Sequence, residues 1–204
     1  MSVGERDEGH PDEAVLFSAL PKTVRREQTQ ALMQARSSDI SRWSVADNFH
    51  SNWKDRAEAV AALAGPGKTI LDLGCGRMDL EGVLHAGCTY IPCDLVARDG
   101  RTHVCDLNAG QLPDAEADIV VMLGVLEYIH DPEALFQRLA SRWRRLILTY
   151  NAAELDAGRD RLLHGWFNAL TSARLVAMAE NAGWRLIGIV PFDGRQKLFE
   201  FGQD

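Results

Sequence analysis

TILDLGCGRMDLEG, residues 69–82, is the stretch whose reading decides the fold. An apolar run enters Asp72, and Gly74 and Gly76 follow directly. That order predicts a buried strand, a tight glycine turn and a short helix whose amino end faces the turn. Glycines suit such a corner because the turn demands positive φ and a ligand must approach bare backbone. Free N–H groups at a helix start attract a negatively polarised ligand group. Asp72, closing the strand, adds an acidic hydrogen-bond acceptor beside the turn.

Two nucleotide-type fingerprints compete for this corner. A dinucleotide site wants G-x-G-x-x-G, with the third glycine packing helix against sheet. Asp79 occupies that third position, so the fingerprint is broken. The string LDLGCG instead resembles motif I of class I S-adenosylmethionine (SAM) methyltransferases, D-x-G-x-G after a hydrophobic strand; the family's usual third glycine is Met78 here. The resemblance implies SAM as the cofactor, gripped at this turn by Asp72, Gly74, Cys75 and Gly76.

The segments that follow extend the resemblance. CTYIPCDL (88–95) reads as strand two and ends in Asp94. A ribose-binding carboxylate belongs at the end of strand two, roughly 20 positions past the turn. A carboxylate suits the task because it accepts bonds from both neighbouring hydroxyls. The link from Leu95 to about Gly100 is shorter than the dozen or so residues a crossover helix needs, so strands two and three are joined without one. RTHVCDL (101–107) reads as strand three. Family likeness implies that Asp106 meets the adenine amino group and Leu107 the ring, with Leu95 and Gly124 completing the cofactor set. DIVVMLG (118–124) is an apolar run suited to a strand covered on both faces, and Asp131-Pro132 starts a helix. The phrase LEYIHDP resembles the LEHIxDP of small-molecule methyltransferases, not the N-P-P-Y of enzymes acting on amide or nucleobase nitrogens.

Polar candidates for the acceptor are Glu127, Tyr128, His130, Asn151 and His164. Tyr128 and His130 form the candidate catalytic pair. Tyr128 stands where the family phrase has histidine; with a pKa of about 10 it is a poor base and is expected to orient the acceptor. His130 lies two positions on, points elsewhere, and is expected to be dispensable.

RLILTYN (145–151) reads as strand five, and an insertion follows to about Asn168 with Arg159, Arg161, His164, Trp166 and Phe167. It lies beyond the strand carboxyl ends, where ligands bind in this fold class, and is expected to contact substrate. Thr171–Ala182 reads as a helix stopped by Gly183. WRLIGIV (184–190) and KLFEFG (197–202), joined through Pro191, Asp193 and Gly194, read as a closing hairpin. The fold class is therefore α/β: a doubly wound, mostly parallel seven-stranded sheet with an antiparallel last strand, Rossmann-like. Residues 1–40 are expected to be a polar, acidic extension, partly disordered or packed on the surface, with one helical stretch near Thr23–Arg36. Residues 41–204 are expected, from the resemblance, to form the methyltransferase domain. Phe49, Trp53, Ala57, Val60, Ala61 and Ala64 recur at helical spacing until Gly65-Pro66-Gly67; the rings of Trp43, Phe49 and Trp53 either line a substrate mouth or form that helix's packing face.

Composition bounds the partners. With 204 residues, 46% hydrophobic and 25% charged, the chain suits one soluble domain with a real core. A formal net charge of −7 argues against a nucleic-acid partner, and Arg142, Arg144 and Arg145 read as a solvated strand entrance. No apolar stretch approaches the ~20 residues of a membrane span, and the acidic amino terminus is unlike a signal peptide. Cys75, Cys88, Cys93 and Cys105 fit no zinc spacing, so no metal is expected, and reduced thiols suit a cytoplasmic protein. The expected activity is methyl transfer from SAM to a small-molecule acceptor, oxygen ahead of nitrogen or carbon. The size resembles the compact methionine-biosynthesis W-type branch and its bacterial relatives. That branch supplies the competing reading, a SAM-binding accessory subunit of another biosynthetic enzyme, and leaves a homodimer or a protein partner open.

Overall fold

The computed structural model of the chain describes residues 16–49, 54–156, 158–192, 194 and 196–203. Seven strands, β1 (Thr69–Leu73), β2 (Thr89–Asp94), β3 (His103–Val104), β4 (Ile119–Leu123), β5 (Arg145–Tyr150), β6 (Arg185–Phe192) and β7 (Gln196–Gly202), form one sheet. Their order is β3-β2-β1-β4-β5-β7-β6. The first five run parallel, and β7 inserts antiparallel between β5 and β6. The predicted sheet and its antiparallel close are both present.

Alternate residues of the central strands serve opposite faces. On one face Ile70, Ile119, Val121 and Ile147 meet Ala57, Val60, Ala61 and Ala64 of α3 (Lys54–Ala64). On the other, Leu71, Val120, Leu146 and Leu148 pack against α4 (Pro132–Ala140) and α5 (Ser172–Asn181) through Leu135, Phe136, Leu139, Leu175 and Ala179. Helices α4 and α5 start where side-chain caps predict: Asp131 accepts from the Ala134 N–H at 3.0 Å and Thr171 from that of Arg174 at 3.2 Å. Among the described residues no helix is long and apolar enough to cross a membrane.

The stretch after the glycine turn departs from expectation. Residues 74–88 contain no α-helix, only a 3-10 turn at Glu81–Val83. Met78 adopts a left-handed φ of 59°, which interrupts a right-handed helix where it would begin. Successive tight turns follow, Met78 N–H to Cys75 O and Glu81 N–H to Met78 O. Leu80, 1% exposed, fills the core in place of a helix face. The short link between β2 and β3 likewise lacks a helix, as its length requires. Strand three is reduced to two residues on an exposed edge rather than spanning 101–107. Phe49 lies in the loop before α3, not on it; Trp53 and Asp193 fall outside the described residues.

The described part of the amino-terminal segment is packed by hydrogen bonds. Helix α1 (Lys22–Ala35) lies on the insertion after β5: Thr29 Oγ1 donates to Leu162 O at 2.9 Å and Arg25 Nη1 to Leu163 O at 3.1 Å, while Arg26 pairs with Asp160. Beyond α2 (Ile40–Trp43), Asn48 accepts from the Phe17 N–H at 3.0 Å and donates to Arg42 O at 2.8 Å.

Candidate functional site

The carboxyl ends of β1, β2 and β4 open into a pocket of about 1030 Å³, its mouth included. Asp72, Gly74, Cys75, Gly76, Asp94, Leu95, Asp106, Leu107, Gly124 and Tyr128 all line it. These positions come from four separate stretches of chain, which the parallel register of β2, β1 and β4 brings side by side.

Asp72 is 2% exposed. Tyr90 Oη donates to its Oδ2 at 2.8 Å, while Oδ1 is buried without a partner. Burial pushes the carboxyl up to about 7 from its ordinary 3.8, and the Tyr90 hydrogen bond pulls the other way. Such a group is poised to ionise against an incoming cation. Gly74, at φ 79°, passes so close to Val125 that a β-carbon would overlap Val125 Cγ2. A β-carbon on Gly124 would lie 2.6 Å from Arg56 Nη1. The third position of the glycine motif carries a methionine, yet its backbone keeps the left-handed conformation a glycine would take.

The remaining cofactor candidates are already bonded within the protein. Asp94 Oδ2 accepts from the Gly76 N–H at 2.7 Å and Oδ1 from Arg98 Nη2 at 2.9 Å. The Gly76 N–H expected to face a ligand thus faces Asp94. Asp106 Oδ1 accepts from Ser38 Oγ at 2.7 Å and from the Asn108 N–H at 2.9 Å. Burial pushes the Cys75 thiol up, so it serves as a small wall group rather than a thiolate. All four cysteines are free, and no group of three metal-type ligands occurs among the described residues.

Aromatic rings form the opposite wall. Trp43 meets Tyr128 edge-on at 5.1 Å and Phe49 at 5.5 Å, and Phe167 meets Tyr128 edge-on at 6.4 Å. Tyr128 Oη accepts from Trp166 Nε1 at 3.2 Å, which leaves its own proton for another acceptor. Burial raises the Tyr128 hydroxyl further above its usual range. His130 is not among the lining residues: its ring stacks on Phe167 at 4.2 Å, and Nε2 lies 3.1 Å from Ser37 O.

Glu127 and Asn151 are buried beneath the pocket, Glu127 Oε1 accepting from both the backbone and the side-chain amide of Asn151 at 2.8 Å. Among the described residues of the insertion only Phe167 reaches the lining. Arg161 holds the insertion's own backbone through Asn168 O at 2.7 Å and Asn151 O at 3.0 Å. His164 stacks on Trp166, and burial, then the charge of Arg159, lowers its pKa.

Three cations in the lining, Arg56, Arg77 and Arg98, were not singled out from sequence. Arg56 precedes Val60 by one helical turn, so it lies on the buried face of α3. The residue is 7% exposed, and its guanidinium lies beside Gly124 and feels the charges of Glu127 and Asp72.

These features fit SAM: an orphaned carboxylate oxygen for a cation, bare glycine backbone, two further acids and a buried guanidinium. Many solved structures share the fold, among them three methyltransferases. The chain aligns with the mitomycin 7-O-methyltransferase MmcR at 20% identity and TM-score 0.60, covering 92% of this chain and 70% of that one. CalO1, a methyltransferase of calicheamicin biosynthesis in its SAH-bound form, aligns at 16% identity and TM-score 0.63, with 92% and 70% covered. The 1,6-didemethyltoxoflavin-N1-methyltransferase of Burkholderia thailandensis, with bound 1,6-didemethyltoxoflavin and S-adenosylhomocysteine, aligns at 17% identity and TM-score 0.61, with 89% and 88% covered. No curated protein matches the chain in sequence. The model of a methyltransferase domain family matches residues 45–188, from the wall residues before α3 into β6, and the chain belongs to that family.

Proposed function

We propose that the protein transfers a methyl group from SAM to a small-molecule acceptor, with an oxygen nucleophile favoured. The observation that carries this reading is Asp72, a buried carboxyl with an orphaned oxygen at the glycine turn. Asp94 takes the ribose hydroxyls, Asp106 and Leu107 the adenine edge, and the turn of Gly74, Cys75 and Gly76 passes under the cofactor with Leu95 and Gly124 beside it. Asp72 faces the positive end, and Arg56 lines the pocket beside Gly124.

SAM supplies a methyl already activated on a sulfonium, so the protein's task is chiefly alignment. Tyr128 performs it from the acceptor side: Trp166 donates to its oxygen, and its own proton serves the acceptor. Trp43, Phe49 and Phe167 exclude water around an apolar acceptor body.

Calorimetry with S-adenosylhomocysteine tests the cofactor, with Kd at micromolar levels expected, about −8 kcal/mol. Asp94→Ala should cost roughly 1.5–3 kcal/mol of that binding, and a methyl-acceptor screen then identifies the nucleophile. Tight NADH binding without any response to SAM or its product would refute the reading.

A further inference from the structure

Asp94 Oδ1 receives Arg98 Nη2 at 2.9 Å and the Val96 N–H at 3.3 Å, and Oδ2 receives the Gly76 N–H at 2.7 Å. The other terminal nitrogen of Arg98 donates to Trp43 O at 2.8 Å, and its guanidinium lies 4.7 Å from the centre of the Phe49 ring. Trp43 and Phe49 line the pocket as well. Arg98 therefore ties that wall to the acid at the end of β2, and the pair is well covered, with side chains 13% and 7% exposed.

A carboxylate offers about four lone-pair sites. Three N–H donors already use Asp94 and the Cys75 thiol approaches its Oδ2 at 3.9 Å, so at most the weak thiol contact yields a site, whereas a ribose presents two neighbouring hydroxyls. Seating both requires one present donor to leave. The Gly76 and Val96 donors belong to the backbone of the turns flanking the pocket. Arg98 alone of the three reaches Asp94 through a flexible side chain.

We propose that Arg98 is a positioning residue that makes the Trp43–Phe49 wall answer to the cofactor: one ribose hydroxyl takes the place of Arg98 on Asp94 and releases the wall from β2 before the acceptor enters. This rests on the reading that Asp94 meets the ribose. The displaced hydroxyl contact then adds little net affinity, because one hydrogen bond to the carboxylate replaces another. The binding energy of that hydroxyl goes instead into opening the mouth, so cofactor precedes acceptor.

The test compares S-adenosylhomocysteine with its 2′-deoxy and 3′-deoxy forms, by calorimetry, on the parent, Arg98→Ala and Arg98→Lys. Hydrogen–deuterium exchange of residues 37–49 is followed in the same samples. In the parent, one deoxy form should bind within about twofold of the full ligand, since a bond is exchanged rather than gained. That form should also fail to raise exchange at 37–49, which the full ligand does raise. In Arg98→Ala the same deoxy form should bind roughly tenfold more weakly than the full ligand, the cost of one charge-assisted bond. Exchange at 37–49 should already be high without ligand. Arg98→Lys keeps the charge but lacks the fork that spans Asp94 and Trp43 O, so it should show the high exchange in a chain whose buried charge balance is intact. Equal losses for both deoxy forms in parent and Arg98→Ala would overturn the proposal. So would weaker binding of the full ligand by Arg98→Ala with exchange at 37–49 falling on binding, since Arg98 would then be a buttress for Asp94. A parent that binds none of the three ligands overturns the cofactor reading itself, and this proposal with it.

Discussion

Substituting Asp72→Asn removes a charge that the fold resists. In the parent, burial holds this carboxyl at about 7 against an ordinary 3.8. Each tenfold change in an acid's dissociation constant is worth about 1.4 kcal/mol, so an ionised Asp72 costs the folded protein on the order of 4 kcal/mol. The sign follows from the raised value. Between 3.8 and about 7 the folded state holds a proton that the unfolded chain has released. Stability from that proton is complete below about pH 4 and is lost as the pH rises through about 7. Asparagine cannot titrate: it keeps an acceptor for Tyr90 but sets an amide where Oδ1 has no partner, at a cost of roughly 1–3 kcal/mol. Urea denaturation from about pH 4 to about pH 8 should therefore find the variant less stable in acid and at least equal to the parent at neutral pH. Other carboxylates titrate in both proteins, so the difference curve isolates Asp72. Binding supplies a second readout. A ligand cation favours the ionised form, so the parent should release a proton when S-adenosylhomocysteine binds below about pH 7, visible as a buffer-dependent heat. Asp72→Asn should bind more weakly and release none. Parallel stability curves for the two proteins would refute the argument.

Once an acceptor is found, Tyr128→Phe should lower turnover by about tenfold, the effect of one lost orienting bond, while His130→Ala should stay within a few-fold of the parent. A pH–rate inflection near about 6.5 that vanishes in His130→Ala would show the two roles reversed. Met78→Gly removes a side chain from a left-handed φ of 59° and should raise stability by about 1 kcal/mol with ligand affinity unimpaired. A loss of stability in the same melt would mean that the contact of Met78 Sδ with Arg101, at 3.8 Å, outweighs the strain.

What was legible in the sequence was whatever a short window determines. The apolar runs of β1, β4 and β5 are buried on both faces, so they betray themselves by composition alone. The acids at the strand ends follow from motif spacing, and the caps at Asp131 and Thr171 from local side-chain chemistry. The helix expected after Gly76 failed because a methionine adopts a conformation that propensity assigns to glycine, with Leu80 packing from a loop. Arg98 illustrates the remainder: its partners are Asp94, four residues back in a loop, and Trp43 O, 55 residues away. Neither periodicity nor composition encodes such a pair. Arg161 and His164 were expected to face the crevice because of where the insertion begins. The polar groups of the insertion instead satisfy one another and α1, as a covered loop must.

The missing crossover helices and the amino-terminal segment are two aspects of one arrangement. Without helices after β1 and β2, the pocket between these strand ends depends for cover on residues 37–49 and on α1, which braces the insertion behind them. Helix α1 buries a single residue, and that residue is a threonine. The cover is therefore held by hydrogen bonds such as Thr29 to Leu162 O, Ser38 to Asp106 and Arg98 to Trp43 O rather than by a hydrophobic face. Each such bond contributes about 1 kcal/mol, against roughly 1.5–3 kcal/mol for every buried leucine or isoleucine of the sheet. A segment fixed in this way opens at lower free energy than the core unfolds. That difference lets a mouth held by polar contacts move on a sheet that does not.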